Sequence, residues 1–104
     1  MVVLCSESIH PLTLVECHAI GILRMIDQGK VDEKIIAVCN HDPHFAFYDD
    51  VEELPVHLSE ELKHFYEVYK MLEGKETIVN EIEGHEPARR VIERCIRRYA
   101  EETR

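Results

Sequence analysis

The chain has 104 residues, of which 45% are hydrophobic and 32% are charged, and its formal net charge is -9 at pH 7. This length and composition predict one soluble globular domain over residues 1–104 and exclude a disordered tail. The acidic balance argues against non-specific binding to nucleic acid, because that binding requires a basic surface.

The cysteines show neither a CxxC pair nor the spacing of a zinc site. They are Cys5, Cys17, Cys39 and Cys95. Each lies in an apolar run, which favours an inert buried thiol over a nucleophile. No stretch resembles a cleavable signal, and no apolar run has the length of a membrane span. We therefore expect a cytoplasmic protein with reduced thiols and no membrane partner.

The first part of the chain is predicted to form strands. Residues 1–5 are a short apolar run, and His10-Pro11 interrupts the pattern because proline restricts the residue before it. Residues 14–27 have the pattern of a long strand. Gly21 indicates a bend or bulge within that strand.

A polar turn between two apolar runs, residues 20–26 and 35–39, predicts a hairpin. Gly29 supplies a residue that tolerates positive φ. The turn carries Asp27, Asp32 and Lys34, and two carboxylates with one lysine on a rigid rim can bind a divalent cation and an anion together. A solvated turn is the alternative, and pattern alone favours it because charged turns are common.

The second part of the chain is predicted to be mainly helical. A helix is expected between Pro55 and Gly74, because apolar residues recur there at spacings of four and three. They are Leu58, Leu62, Phe65, Tyr69 and Leu72. Residues 77–82 are a short strand candidate, and Glu86-Pro87 begins a last helix. Arginines and glutamates interleave along that helix, which favours a salt-bridged exposed face over nucleic-acid binding.

Three small groups of residues could carry chemistry. His41 and His44 flank Pro43 in a loop without further ligands nearby, so zinc is disfavoured. Tyr66, Tyr69 and Lys70 form a second group on the predicted helix. A helical tyrosine is ordinarily a packing residue, and the neighbouring lysine is ordinarily solvated. Together with the carboxylates of the turn, however, the Tyr69 hydroxyl and the Lys70 ammonium could form a site for Mg²⁺ and a phosphate-rich anion.

Three stretches together resemble the soluble family I inorganic pyrophosphatases. They are MIDQGKVDEKIIAV, VEELP and HFYEVYK. The resemblance extends from about Val2 to near Tyr99. It implies an α+β, mainly β fold: an incomplete OB-fold-like β-barrel with two flanking C-terminal helices.

The resemblance also implies an activity, the Mg²⁺-dependent hydrolysis of pyrophosphate to two orthophosphates. Asp27 and Asp32 match metal ligands of that family, and Asp32 is assigned a catalytic role through the metal-bound water. Lys34, Tyr69 and Lys70 match residues that hold substrate phosphate oxygens. Mg²⁺ is the implied cofactor.

The chain also departs from that family. The family's Asp-rich segment, with further metal ligands and the presumed general base, precedes the strand that matches residues 2–5, and Gln28 stands where the family usually has an acidic residue. We therefore expect a truncated chain with weak or no turnover. The alternative is a non-catalytic phosphate- and Mg²⁺-binding module, or a structural partner of a full-length homologue. Missing strands would leave unpaired sheet edges, which predicts a homo-oligomer.

Overall fold

The computed structural model describes residues 1–74 and 77–103. The chain forms, in order, β1 (Val2–Leu4), β2 (Cys17–Asp27), β3 (Lys30–Cys39), a short 3-10 helix (Val51–Glu53), α1 (Val56–Leu72), β4 (Thr77–Glu83) and α2 (His85–Glu102). Among these residues, no helix combines the length and the apolar character needed to cross a membrane.

The strands form one four-stranded sheet in the order β1-β3-β2-β4. β1 runs parallel to β3, and β2 is antiparallel to both β3 and β4. The α+β class and the two flanking helices are therefore as predicted. In this order β1 and β4 are the outer strands of the sheet.

The β2–β3 hairpin closes through only two residues, Gln28 and Gly29. Both have positive φ angles, of 52° and 78°. This is the pattern of a type I′ turn, whose twist matches that of the flanking strands. β3 therefore begins at Lys30, and Asp32 and Lys34 lie within the strand. The hairpin is confirmed, but the prediction of a longer polar turn carrying these two residues was wrong.

The irregularity expected at Gly21 is present. The register of β2 against β3 shifts between Ala19 and Gly21. A Cβ at Gly21 would lie 2.8 Å from the carbonyl oxygen of Glu83 and 2.9 Å from Cβ of Val51. Only glycine fits there, since contacts below about 3 Å require the neighbouring backbone to move.

Each face of the sheet packs against one helix. The face towards α1 holds the larger buried cluster, which includes Leu23, Met25 and Ile36 and against which residues of α1 pack. Those residues of α1 are Leu58, Leu62 and Tyr66. On the opposite face, Ile22 packs against Ala88 and Val91 of α2. The alternation follows from the two-residue period of strands.

The buried side of α1 differs from the predicted one. Leu58, Leu62 and Tyr66 pack on the core, whereas Phe65, Tyr69 and Leu72 are 57%, 47% and 80% exposed. Spacings of four keep 58, 62 and 66 in one row, and Lys70 is its next member. The predicted set mixes spacings of four and three. Its later members, Phe65, Tyr69 and Leu72, therefore lie in another row that faces away from the core.

The apolar stripe of α2 is only partly buried. Ala88 and Val91 are buried, whereas Ile96 and Tyr99 are 62% and 71% exposed and Cys95 is exposed. The expectation of an inert buried thiol was therefore wrong for Cys95. The interleaved charges do pair as expected: Arg89 contacts Glu93 at 3.1 Å, and Arg94 contacts Glu33 of β3 at 2.7 Å.

Asp50 ties the start of α2 to the 3-10 helix. Its carboxylate accepts hydrogen bonds from the backbone N–H groups of Glu52 and His85, both at 3.0 Å, and contacts Nδ1 of His85 at 2.9 Å. A Cβ at Gly84 would lie 2.7 Å from Asp50 Oδ2. The carboxylate thus occupies the space that a larger residue at position 84 would need.

Candidate functional site

The strand register places the acidic and basic residues of the hairpin on one face of the sheet. Asp32 lies opposite Met25, and Lys34 lies opposite Leu23. Directly opposed residues of paired strands share a face. Asp27 is two residues beyond Met25 on β2 and therefore shares it too. Because Leu23 and Met25 point towards α1, so do all three charged residues.

Lys70 reaches this face from the last turn of α1. Its Nζ lies 2.9 Å from Oδ2 of Asp27, and the two side chains are only 12% and 19% exposed. The hydrogen bond to Asp27, together with the charges of Asp27, Glu73 and Asp32, holds the pKa of Lys70 above its ordinary value despite opposing desolvation. Lys70 is therefore a persistent cation beside a carboxylate.

A second pair lies next to the first. Nζ of Lys34 is 3.5 Å from Oδ1 of Asp32, with side-chain exposures of 23% and 30%. The same ammonium lies 5.4 Å from the centroid of the Tyr66 ring, which is a cation–π distance. The sequence placed Tyr66 in a candidate group with Tyr69 and Lys70, but it gave Tyr66 no role in the predicted site. The signal that could have found its role is the four-residue spacing between Tyr66 and Lys70.

Tyr69 lies on a neighbouring side of α1. Its ring stacks on Phe65 with a centroid distance of 5.8 Å, and 47% of the residue is exposed. Consecutive residues of a helix point about 100° apart, so Tyr69 and Lys70 do not share a row. A substrate-binding role for Tyr69 stays a prediction.

The result is a cluster in which two ammonium groups alternate with two carboxylates. It consists of Asp27, Asp32, Lys34 and Lys70, and we call it the hairpin charge cluster. The lysines can bind phosphate oxygens, and the carboxylates can bind a hard divalent cation. Within the cluster each carboxylate contacts a lysine. A ligand that engages both signs of charge therefore has to replace these contacts.

The family model for inorganic pyrophosphatase matches residues 1–100. This chain belongs to the inorganic pyrophosphatase family.

Two curated relatives illustrate how close this pyrophosphatase-family chain is to others. It is 42% identical to soluble inorganic pyrophosphatase 1 of Arabidopsis thaliana over 101 residues, covering 97% of the chain and 48% of that relative. It is 38% identical to the inorganic pyrophosphatase of Halalkalibacterium halodurans over 99 residues, covering 95% and 61%. The chain thus spans about half to three-fifths of the length of these relatives.

Solved pyrophosphatase structures share its fold. The enzyme from Thermus thermophilus superposes with a TM-score of 0.87 at 31% identity, covering 94% of this chain and 58% of that one. The enzyme from Helicobacter pylori gives the same TM-score at 34% identity, covering 94% and 59%. The four strands and two helices therefore belong to the OB-fold-like architecture of this family.

The donor set of the pyrophosphatase-family chain fits magnesium only in company with an anion. Among residues 1–74 and 77–103, no group of three or more His, Cys, Asp or Glu side chains could hold a metal ion. Asp27 and Asp32 offer two carboxylates. Mg²⁺ at phosphate sites commonly takes one or two carboxylates and completes its shell with water and phosphate oxygens. The hard oxygen donors are suitable, and phosphate would supply further ligands.

The histidine pair considered for zinc has other contacts. Nε2 of His41 lies 3.6 Å from Oε2 of Glu16, and the side chain of His41 is 86% exposed. The backbone N–H of His44 donates to Asp42 at 2.8 Å. Their geometry is that of a surface turn after β3.

Proposed function

We propose that the hairpin charge cluster binds magnesium diphosphate and takes part in its Mg²⁺-dependent hydrolysis to two orthophosphates. The observation that carries this proposal is the 2.9 Å contact between Lys70 and Asp27 beside the Asp32–Lys34 pair. It brings together the cations that a diphosphate needs and the carboxylates that a magnesium ion needs. Membership of the pyrophosphatase family supports the substrate.

Binding is expected to proceed by an exchange of partners. Lys70 and Lys34 turn from the carboxylates to phosphate oxygens, and Asp27 and Asp32 then become available to Mg²⁺. Neither ligand alone replaces both sets of contacts, since an added cation competes with the lysines and an added anion competes with the carboxylates. Mg²⁺ and diphosphate should therefore each raise the affinity for the other.

The cluster's residues have distinct parts in the reaction. Asp27 and Asp32 would hold the metal, Asp32 would also have the catalytic role, and Lys34 and Lys70 would orient the phosphate groups. Tyr69 is proposed to donate a further hydrogen bond to a phosphate oxygen. When bound, the metal supplies a polarised water and neutralises charge on the transferring phosphoryl group.

Isothermal titration calorimetry with methylenediphosphonate, a non-hydrolysable diphosphate analogue, tests binding. We expect affinity to rise on adding Mg²⁺, and this rise to be lost in Asp32→Asn but kept in the surface variant Glu102→Gln. Equal affinity with and without Mg²⁺ in the unchanged chain would contradict the partner exchange.

A phosphate-release assay on the same protein then separates catalysis from binding. Release of phosphate that depends on Mg²⁺ and disappears in Asp32→Asn identifies a hydrolase. Mg²⁺-coupled binding of the analogue without phosphate release identifies the non-catalytic phosphate and Mg²⁺ module. A chain that neither binds nor hydrolyses contradicts the proposed function, and a pull-down with an intact pyrophosphatase then tests the role of a structural partner.

We also propose that the chain forms a homo-oligomer with a second copy of itself through the β1 side. The surface area is 7606 Å², whereas a compact monomer of this mass exposes roughly 6,100 Å². Leu4 of β1, with Leu58, Leu62 and Phe65 of α1, lines a shallow apolar groove beside the outer strand. Light scattering after size-exclusion chromatography should give at least twice the chain mass. A stable monomer at all concentrations would contradict this proposal.

A further inference from the structure

Three of the four cysteines lie in a row across neighbouring strands. Cys17 of β2 is directly opposite Cys39 of β3. The pairing of Leu4 with Val38 brings Cys5 beside Cys39. Val38 packs towards α1, so its neighbour Cys39 points to the other face of the sheet. The row is therefore on the face opposite the hairpin charge cluster.

The geometry between Cys17 and Cys39 suits a covalent link. The backbone N–H of Asn40 donates to the carbonyl of Glu16 at 3.0 Å. In an antiparallel ladder the next residue pair inward is then a non-hydrogen-bonded one, in which the Cα atoms are about 4.5 Å apart. Disulfides span Cα separations of roughly 4.4–6.8 Å. The side chains of such a pair also stand on the same face and close together.

We propose that Cys17 and Cys39 are a redox-active dithiol that closes to a cross-strand disulfide when the protein meets a low-molecular-weight disulfide such as oxidised glutathione. Such a disulfide would link β2 to β3 covalently at the open end of their hairpin. The same hairpin carries Asp27, Asp32 and Lys34 at its closed end.

The reaction balances in two exchange steps. The Cys17 thiolate attacks one sulfur of glutathione disulfide, breaks its S–S bond and releases one glutathione thiolate. Deprotonated Cys39 then attacks the Cys17 sulfur of the mixed disulfide and releases the second glutathione. The protein loses two protons and two electrons, and one glutathione disulfide is reduced to two thiols.

Access and acidity set the order of attack. Cys39 is 8% exposed, whereas Cys17 is only partly buried, so Cys17 meets the reagent first. Burial, together with the neighbouring Cys39 and the charge of Asp42, raises the pKa of Cys5 to about 11. Cys5 therefore stays protonated near neutral pH and is a poor nucleophile.

The described part of the chain holds no group of three or more His, Cys, Asp or Glu side chains that could bind a metal ion. Disulfide chemistry therefore fits the row of cysteines better than metal binding does.

Peptide mapping can identify the bonded pair. The protein is equilibrated in a glutathione redox buffer without Mg²⁺, alkylated, and cleaved after glutamate. This cleavage separates the three thiols into residues 1–7, 17–33 and 34–52. We expect residues 17–33 linked to 34–52 within one chain, with the link lost in Cys17→Ser and kept in Cys5→Ser and Cys95→Ser. Three thiols in every redox buffer, a link from residues 1–7, or a link between chains would each overturn the proposal.

Thermal unfolding provides a second readout. The oxidised protein should melt several degrees higher than the reduced one, because the link closes the loop from Cys17 to Cys39 in the unfolded chain. A reductant should reverse the shift. Cys17→Ala, matched for folding by circular dichroism, should melt at the same temperature in both buffers, and a redox-dependent shift in that variant would argue against this pair. The assay does not involve diphosphate, so its outcome is independent of the proposed hydrolysis.

Discussion

The ammonium of Lys70 lies 2.9 Å from Oδ2 of Asp27, a residue 43 positions earlier in the chain. This contact joins the last turn of α1 to the end of β2. It also brings a phosphate-binding type of side chain against a metal-binding type of side chain.

Replacing Lys70 tests the cationic half of this contact. Lys70→Met should weaken binding of methylenediphosphonate in the presence of Mg²⁺ by roughly tenfold to a hundredfold, the usual range for losing a charge-assisted hydrogen bond. Calorimetric titration gives the dissociation constant. The matched control is Lys63→Met, since Lys63 is on the same helix and pairs with Glu81 at 2.8 Å, away from the cluster. Equal losses in both variants would indicate a general charge effect.

Replacing Asp27 should have effects of opposite sign with and without metal. Asp27→Asn removes the carboxylate that holds Lys70, so affinity for the analogue without Mg²⁺ should rise several-fold. The gain in affinity on adding Mg²⁺ should shrink at the same time, because a metal ligand has been lost. Two titrations per protein measure both quantities. Parallel changes in the two conditions would contradict the partner exchange.

Stability should depend on pH through Asp50 and His85. The hydrogen bond to Asp50 and the charge of Glu86 raise the pKa of His85 above 6.5 despite desolvation. Burial alone would raise the pKa of Asp50, but hydrogen bonds from Glu52 and His85 hold it below 3.8. The contribution of His85 is complete below its unfolded pKa and is lost as pH rises through its raised folded pKa. The contribution of Asp50 to stability is complete above its unfolded pKa and is lost as pH falls through its lowered folded pKa.

Both contributions are therefore complete between the ordinary values of 3.8 and 6.5. Urea unfolding should give the highest free energy of unfolding in that window and a decline above it. His85→Gln should reduce the alkaline decline, whereas the exposed His57→Gln should leave it unchanged. Part of the decline should remain in His85→Gln, because hydrogen bonds to Asn40 and Tyr48 also raise the pKa of His18. A decline of the same size in His85→Gln would assign it to other groups.

The close contact at Gly21 predicts a coupled pair of substitutions. Gly21→Ala should lower the free energy of unfolding by about 1–3 kcal/mol, since the added methyl group meets Glu83 and Val51. Val51→Gly removes both atoms of Val51 that the added methyl group would meet, Cβ at 2.9 Å and Cγ1 at 3.1 Å. The double variant should therefore be more stable than the sum of the single effects predicts, by at least about 0.5 kcal/mol. Additive effects, measured by urea unfolding, would contradict this packing.

Much of the fold was predictable, because its signals are local. The hairpin, the bulge at Gly21 and the two helices follow from apolar periodicity and glycine positions. The two-residue turn was missed because Gln28 adopts a φ of 52°, a backbone conformation that residues other than glycine seldom adopt. Asp32 and Lys34 were consequently assigned to a turn, although they belong to a strand.

The candidate site was predictable only in part. The resemblance to pyrophosphatases singled out Asp27 and Lys70, and the fold brings them together. It did not indicate that Tyr66 lies on the side of α1 that meets the sheet, whereas Tyr69 lies on a neighbouring side. The row of cysteines was out of reach for a different reason: it depends on the register of three strands, which spacing along the chain does not specify.

The brevity of the Gln28–Gly29 turn has a consequence for how this protein can vary. Because side chains alternate along a strand, slipping β3 by one position against β2 would turn Asp32 and Lys34 towards α2 and bring Glu33 and Val31 into their places. A single inserted or deleted codon at the hairpin tip would thus exchange the β3 side chains that face α1 with those that face α2. Length variation among descendants of this gene should therefore be tolerated in the segment between β1 and β2 far more readily than at that tip.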